Sequence, residues 1–133
     1  MSVELPYTIL IAERNRHVRE LLKREMSAEG YRVHTAANAA QLLDAVSTER
    51  PPDIVVLDLD LPDAGGRRII GEVKSLAPNV PVILHTLSVD ADTPSINGTV
   101  AFIEKQENSI DELKKRVGDL LGCAPMVSNT ETA

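Results

Sequence analysis

Two kinds of segment alternate along this chain, and the alternation leaves few folds open. Short stretches rich in β-branched residues read as strands: Tyr7–Ala12 (YTILIA), Tyr31–Ala36 (YRVHTA), Asp53–Asp58 (DIVVLD), Pro81–Thr86 (PVILHT) and Thr99–Ile103 (TVAFI). The third is almost continuously apolar, as a strand covered on both faces should be. Between the strands, apolar residues recur at helical spacing. Val18, Leu21, Leu22 and Met26 form one stripe, opened by Asn15 as cap and stopped by Gly30. Asn38 with Gln41 three residues on has the form of a capping box, opening a helix through Leu42, Leu43 and Val46. Ile69, Ile70, Val73 and Leu76 mark a third helix, which ends near Pro78. Ile110, Leu113, Val117 and Leu120 mark the last, capped by Asn108 or Ser109.

Strands separated by helices need right-handed crossovers, which build a parallel, doubly wound α/β sheet. One crossover is out of character. Ser88–Gly98 (SVDADTPSING) holds Pro94, Asn97-Gly98 and two Asp, so the fourth helix is expected to be short or irregular. The domain then spans 7–121, after an N-terminal extension 1–6 and before a small, polar tail 122–133 expected to be disordered.

Composition narrows the class further. With one Phe, two Tyr and no Trp, the core must be Val, Ile, Leu and Ala, the usual filling of such a sheet. The net charge of −6 and the absence of a basic block argue against direct contact with nucleic acid. The one cysteine, Cys123, can form no internal disulfide and implies no metal cluster. Met1 to Pro6 lack the pattern of a signal peptide, and no apolar run approaches the roughly 18 residues that span a membrane. A cytoplasmic protein is the expectation.

In doubly wound sheets, ligands sit at the carboxyl ends of the strands. Glu13 and Arg14 follow the first strand, Asp58 ends the third, Thr86 ends the fourth, and Lys105 follows the fifth. Two acids, a hydroxyl and a lysine on one rim suit phosphoryl chemistry. A carboxylate can attack a phosphoryl group to give an acyl phosphate, while a cation and a hydroxyl steady the transferred oxygens.

These residues and their spacing resemble the receiver domain of two-component response regulators, over roughly Tyr7 to Leu121. ILIAERNRHVRELL (Ile9–Leu22) resembles the family's opening strand and helix. PDIVVLDLDLPDAGG (Pro52–Gly66) is the strongest match, with Asp58 closing the strand, then Pro62 and Gly66. PVILHT supplies a Thr at 86, and GTVAFIEK (Gly98–Lys105) supplies Phe102 and Lys105. The resemblance implies a flavodoxin-like (βα)5 sheet in strand order 2-1-3-4-5. It also implies a signalling switch without enzymatic activity beyond self-catalysed transfer of a phosphoryl group to Asp58. The donor would be a histidine kinase or phosphotransfer protein, or a small acyl phosphate with Mg²⁺. Lys105 would pair with the phosphate, Thr86 would hydrogen-bond it, and Phe102 would change rotamer. A downstream protein partner would read the result, and a homodimer is compatible with this role. Metal ligands would be Glu13, Asp58 and the backbone carbonyl at Asp60.

The chain departs from the family where the metal should sit. The family's second acid is replaced by Arg14, which cannot ligate a cation. Mg²⁺ is held by oxygen ligands and largely by charge, so weak or absent binding is expected. Three arrangements stay open. Glu13 and the side chain of Asp60 could rescue the site, Arg14 could pair with Asp58 or its phosphate, or Arg14 could point to solvent. Gln106 replaces the family's cis proline, and a cis bond there would cost about 2.5–4 kcal/mol. An unphosphorylated pseudo-receiver, used as a binding module, is therefore the competing reading. A flavodoxin-like enzyme or nucleotide binder is disfavoured, because ERNR stands where a Gly-rich turn would follow the first strand. Among the histidines, His85 should face away from Thr86 as a hydrogen-bonded structural residue, and His17 and His34 should be solvated. Asp60 and Asp63 could equally form the turn around Pro62.

Overall fold

The apolar run of the third segment lies in the middle of the sheet. The computed structural model describes residues 7–63, 65, 68–87, 99–106 and 108–121. Strands β1 (Thr8–Ala12), β2 (Arg32–Ala36), β3 (Ile54–Leu57), β4 (Val82–Thr86) and β5 (Thr99–Glu104) pair in parallel, in the order β2-β1-β3-β4-β5. This is the expected order. The described helices are α1 (Arg16–Ala28), α2 (Ala39–Val46), α3 (Arg68–Leu76) and α4 (Ser109–Leu121). The extension 1–6, the Ser88–Gly98 connection, Gly66 and the tail with Cys123 lie outside the described residues.

Alternation along each strand sends side chains to two cores. Leu10, Val55, Leu57, Val82 and Leu84 pack with Leu42 of α2 and Ile70 and Val73 of α3. Ile9, Ile11, Ile54, Val56 and Ile83 pack with Leu22 and Met26 of α1 and Leu113 and Val117 of α4. All four residues of β3 are buried, which explains why its sequence is apolar without alternation. Each such side chain contributes about 1.5–3 kcal/mol of transfer free energy, so the two-sided strand anchors the fold. The edge strand β2 instead exposes Arg32 and His34, and charge on an edge discourages pairing with other chains. His17 is likewise exposed.

Helix ends follow local chemistry. Asn15 accepts from the Val18 amide at 3.1 Å, and Gly30 takes the left-handed φ of 100° just beyond α1. Asn38 accepts from the Gln41 amide at 2.9 Å, but Gln41 reaches back to the Ala37 amide at 2.7 Å and not to that of Asn38. The box therefore closes one residue earlier than its pattern suggests. Asn38→Ala should lower stability by about 1 kcal/mol, measured by urea denaturation, and a change below a few tenths would mean the cap is idle. Ser109 is the first residue of α4 and not its cap, because its hydroxyl is turned to His85. The Asn108 carbonyl accepts the first helical bond, from the Glu112 amide at 3.3 Å. Among the described residues, no helix is long and apolar enough to cross a membrane.

Candidate functional site

Hydrogen bonds of the sheet continue past the strand ends and fix the backbone of the site. The Glu13 amide donates to the Ala36 carbonyl at 3.0 Å, that of Asp58 to Ala12 at 2.9 Å, and that of Lys105 to Thr86 at 3.0 Å. Because all strands are parallel, their carboxyl ends form a single rim. Glu13, Asp58 and Thr86 are all buried there.

The side chains of three of the expected residues meet at the Lys105 ammonium. Lys105 Nζ donates to Asp58 Oδ2 at 3.2 Å and to the Glu13 carboxylate at 2.9 Å. Asp58 Oδ1 accepts from the Asp60 amide at 3.0 Å. The Glu13 carboxylate also accepts from the Asn15 amide at 3.0 Å. Burial pushes the Glu13 carboxyl above its ordinary range, against the pull of Lys105 and the Asn15 amide, and the nearby Asp58 adds to the rise. Thr86 is fully buried, and its Oγ1 has no hydrogen-bond partner. Such an orphan hydroxyl costs about 1–3 kcal/mol unless something accepts or donates to it.

Arg14 lies beside the same carboxylate. Its amide is 3.5 Å from Asp58 Oδ2 and its Nε is 3.8 Å away, with 45% of the side chain exposed. This is an ion pair at its outer limit. Of the three arrangements open in the sequence, this contact lies nearest to the one in which Arg14 pairs with Asp58, without a bidentate fork and with almost half of the side chain in solvent.

A divalent cation does not fit these groups as they stand. Both Asp58 oxygens and the Glu13 carboxylate are already engaged by donors, and two monocations face Asp58 Oδ2. A divalent ion about 4 Å from one monocation is repelled by roughly 8 kcal/mol at an effective dielectric near 20, and by less beside a half-exposed guanidinium. Among the described residues, no three of His, Cys, Asp and Glu converge in a group able to hold a metal ion. Asp60 is brought to the site by its amide.

Other residues support this centre from outside it. His85 is buried, faces away from Thr86, and its Nε2 lies 3.0 Å from Ser109 Oγ, while Nδ1 has no partner. Burial, helped by the nearby Lys105 charge, pushes its pKa down to about 4. Asp63 adopts a left-handed φ of 58°, and its Oδ1 accepts from the Ala39 amide at 2.9 Å, tying the turn after β3 to the start of α2. Phe102 pairs with Leu84 and packs on the α2–α3 side. Sequence reasoning missed Arg19, whose Nη1 donates to the Glu13 carbonyl at 2.9 Å and the Arg14 carbonyl at 3.4 Å. Nothing in the local pattern separates Arg19 from Arg16 or Arg24. Only the loop's fold selects it.

The family profile of the response regulator receiver domain matches residues 9–118. The chain belongs to the response-regulator receiver family. This receiver is 33% identical to sporulation initiation phosphotransferase F of Bacillus subtilis over 125 residues, covering 91% of the chain and 96% of that protein. It is 34% identical to the response regulator MprA of Mycolicibacterium vanbaalenii over 82 residues, covering 62% of the chain. The receiver spans only 35% of the length of that regulator. Among solved structures, the response regulator TrrA of Thermotoga maritima, crystallised with Mg²⁺ and beryllofluoride, aligns with a TM-score of 0.75 at 30% identity. The alignment covers 86% of this receiver and 98% of TrrA. A CheY-like receiver from Methanospirillum hungatei aligns with a TM-score of 0.78 at 25% identity, over 92% and 99% of the two chains. Receivers as a family are signalling modules and not enzymes in their own right.

Proposed function

We propose that this receiver is a phosphorelay switch whose acceptor is Asp58. The observation that carries the reading is a buried carboxylate at the end of the central strand, 3.2 Å from the Lys105 ammonium, on a rim that also holds an unpartnered Thr86 hydroxyl. A carboxylate there is an oxygen nucleophile. Lys105 is the cation ready to neutralise a transferred phosphoryl group, and Thr86 is a donor without present employment. Phosphorylation adds about −1.5 to −2 charge, enough to draw the buried Thr86 hydroxyl toward the new group and shift a two-state surface that includes Phe102. The donor is a histidine kinase or phosphotransfer protein, and a protein partner reads the modified surface. The likeness to a Bacillus phosphotransferase over almost its whole length favours a relay role for this receiver. No contact with nucleic acid or membrane is needed for that role, which suits a cytoplasmic setting.

Incubation with acetyl phosphate tests this. Wild type should gain the mass of one phosphoryl group, and Asp58→Asn should gain none. Modification of Asp58→Asn to the same extent would place the acceptor elsewhere.

One observation favours a second reading, that of an unphosphorylated binding module. Arg14 already offers Asp58 a positive partner. In that case the wild type stays unmodified under every condition, while Arg14→Asp gains phosphate.

A further inference from the structure

We propose that Arg14 is the resident cation of this site, taking the place of a divalent metal ion, so that an oxyanion on Asp58 is held by protein side chains alone. The inference rests on the phosphoacceptor reading above and specifies how that site is charged. Charge is the first ground. One guanidinium carries the same net charge as an acid and a divalent cation together, so replacing the acid by Arg14 and dispensing with the metal leaves the balance of the site unchanged. The groups around Asp58 are then two carboxylates, Glu13 and Asp58, against the Lys105 ammonium and the Arg14 guanidinium.

Geometry is the second ground. Arg14 turns both its amide and its side chain toward the same oxygen, Asp58 Oδ2, at 3.5 and 3.8 Å. The loop that presents it is held on both sides. Arg19 Nη1 grips the carbonyls of Glu13 and Arg14, and the Asn15 amide is bonded to the Glu13 carboxylate. The side chain is half exposed, so it can swing over an added group without unpacking a core. Arg14 and Lys105 also line one cleft. A guanidinium offers two parallel N–H donors to a phosphoryl group, which a metal ion would otherwise hold through its inner shell.

The step itself needs no further reagent. With acetyl phosphate, an Asp58 carboxylate oxygen forms a bond to phosphorus as the bond from phosphorus to the acyl oxygen breaks. The electron pair leaves with acetate, and nothing is oxidised or reduced. Arg14 and Lys105 neutralise the charge that accumulates on the transferred oxygens.

The test follows the rate at which intact protein gains one phosphoryl mass from acetyl phosphate, in EDTA and in Mg²⁺, for wild type, Arg14→Ala and Arg14→Asp, with circular dichroism to verify folding. Wild type should react equally in both media. Arg14→Ala should be slower by about a hundredfold in EDTA, as for loss of one oxyanion-stabilising donor. Arg14→Asp, which restores an acid pair, should react only with Mg²⁺. A wild type that reacts only with Mg²⁺ overturns the inference and leaves the phosphoacceptor reading standing. A wild type inert in both media beside a reactive Arg14→Asp overturns the inference and favours the binding module. If no variant reacts in either medium, the inference and the phosphoacceptor reading fail together.

Discussion

Replacing Lys105 by Met is expected to cost the fold roughly 3 kcal/mol at neutral pH, because it strands two buried carboxylates without their shared cation. The ammonium lies within 3.2 Å of both Glu13 and Asp58, and the Glu13 and Asp58 side chains are 2% and 0% exposed. Met preserves much of the stem packing, so the loss isolates charge from volume. The deficit should shrink on acidification. Burial already holds the Glu13 carboxyl above its ordinary range, and removing Lys105 takes away the largest influence pulling it down. A carboxyl whose folded pKa is raised stabilises the protein while protonated, below its unfolded pKa, and loses that contribution as pH rises through the folded value. In Lys105→Met, stability should therefore be nearest to wild type in mild acid and furthest from it at pH 7. Adding Glu13→Leu should recover part of the loss, since an apolar replacement removes one of the two stranded charges and leaves Asp58 the Arg14 guanidinium. Urea denaturation at several pH values measures all three. A Lys105→Met deficit that stays constant with pH, or that Glu13→Leu leaves untouched, would show that the ammonium does not neutralise this pair.

The fold was legible because its signals are local and repeated. The alternation of β-branched runs with helical stripes, and the non-alternating IVVL of the third strand, depend only on which faces are covered, so parallel pairing and a third strand buried on both faces follow, while the order β2-β1-β3-β4-β5 is what the family resemblance implies. Boundaries differ by a residue at the strand ends. The sequence pattern places Asp53 in the third strand; in the structure it lies just before β3, its amide still donating to the Thr8 carbonyl at 2.8 Å while its carboxylate accepts from the Thr8 amide at 2.7 Å. The convergence of Glu13, Asp58, Thr86 and Lys105 on one rim was readable from strand ends alone, because parallel strands share a carboxyl side. Direction within the rim was not. Whether Arg14 would face Asp58 or water depends on the turn after β1, which Arg19 and the Asn15 amide fix through main-chain groups that no residue pattern encodes. Ser109 shows the same limit. A serine before an amphipathic stripe is a reasonable cap, but the buried imidazole of His85, distant in sequence, competes for its hydroxyl and wins.

That imidazole should make the protein acid-sensitive well above the range of ordinary carboxylates. Burial first, then the Lys105 charge, depress the folded pKa of His85 from 6.5 to about 4, with Asp58 opposing. In the unfolded chain His85 takes up a proton as pH falls through about 6.5, whereas the folded protein refuses it until about pH 4. The contribution is thus fully present above the unfolded value and is lost on acidification through that window, by up to about 3 kcal/mol. Glu13, with its raised pKa, acts with the opposite sign at the acid end of the same window, so the wild-type profile alone would understate the effect. Comparison with His85→Leu, paired with Ser109→Ala so that no hydroxyl is orphaned, cancels that term. The stability difference between wild type and the double variant should change by about 3 kcal/mol between pH 7 and pH 4, with wild type losing ground in acid. In the same range the His85 ring resonances should keep their neutral positions down to about pH 5, since a buried cation there would sit beside Lys105 with Nδ1 unpartnered. Parallel stability curves, or an imidazole that titrates near 6.5 in the folded protein, would mean that water or a carboxylate reaches His85 and that its environment is not the dry, cation-flanked one described.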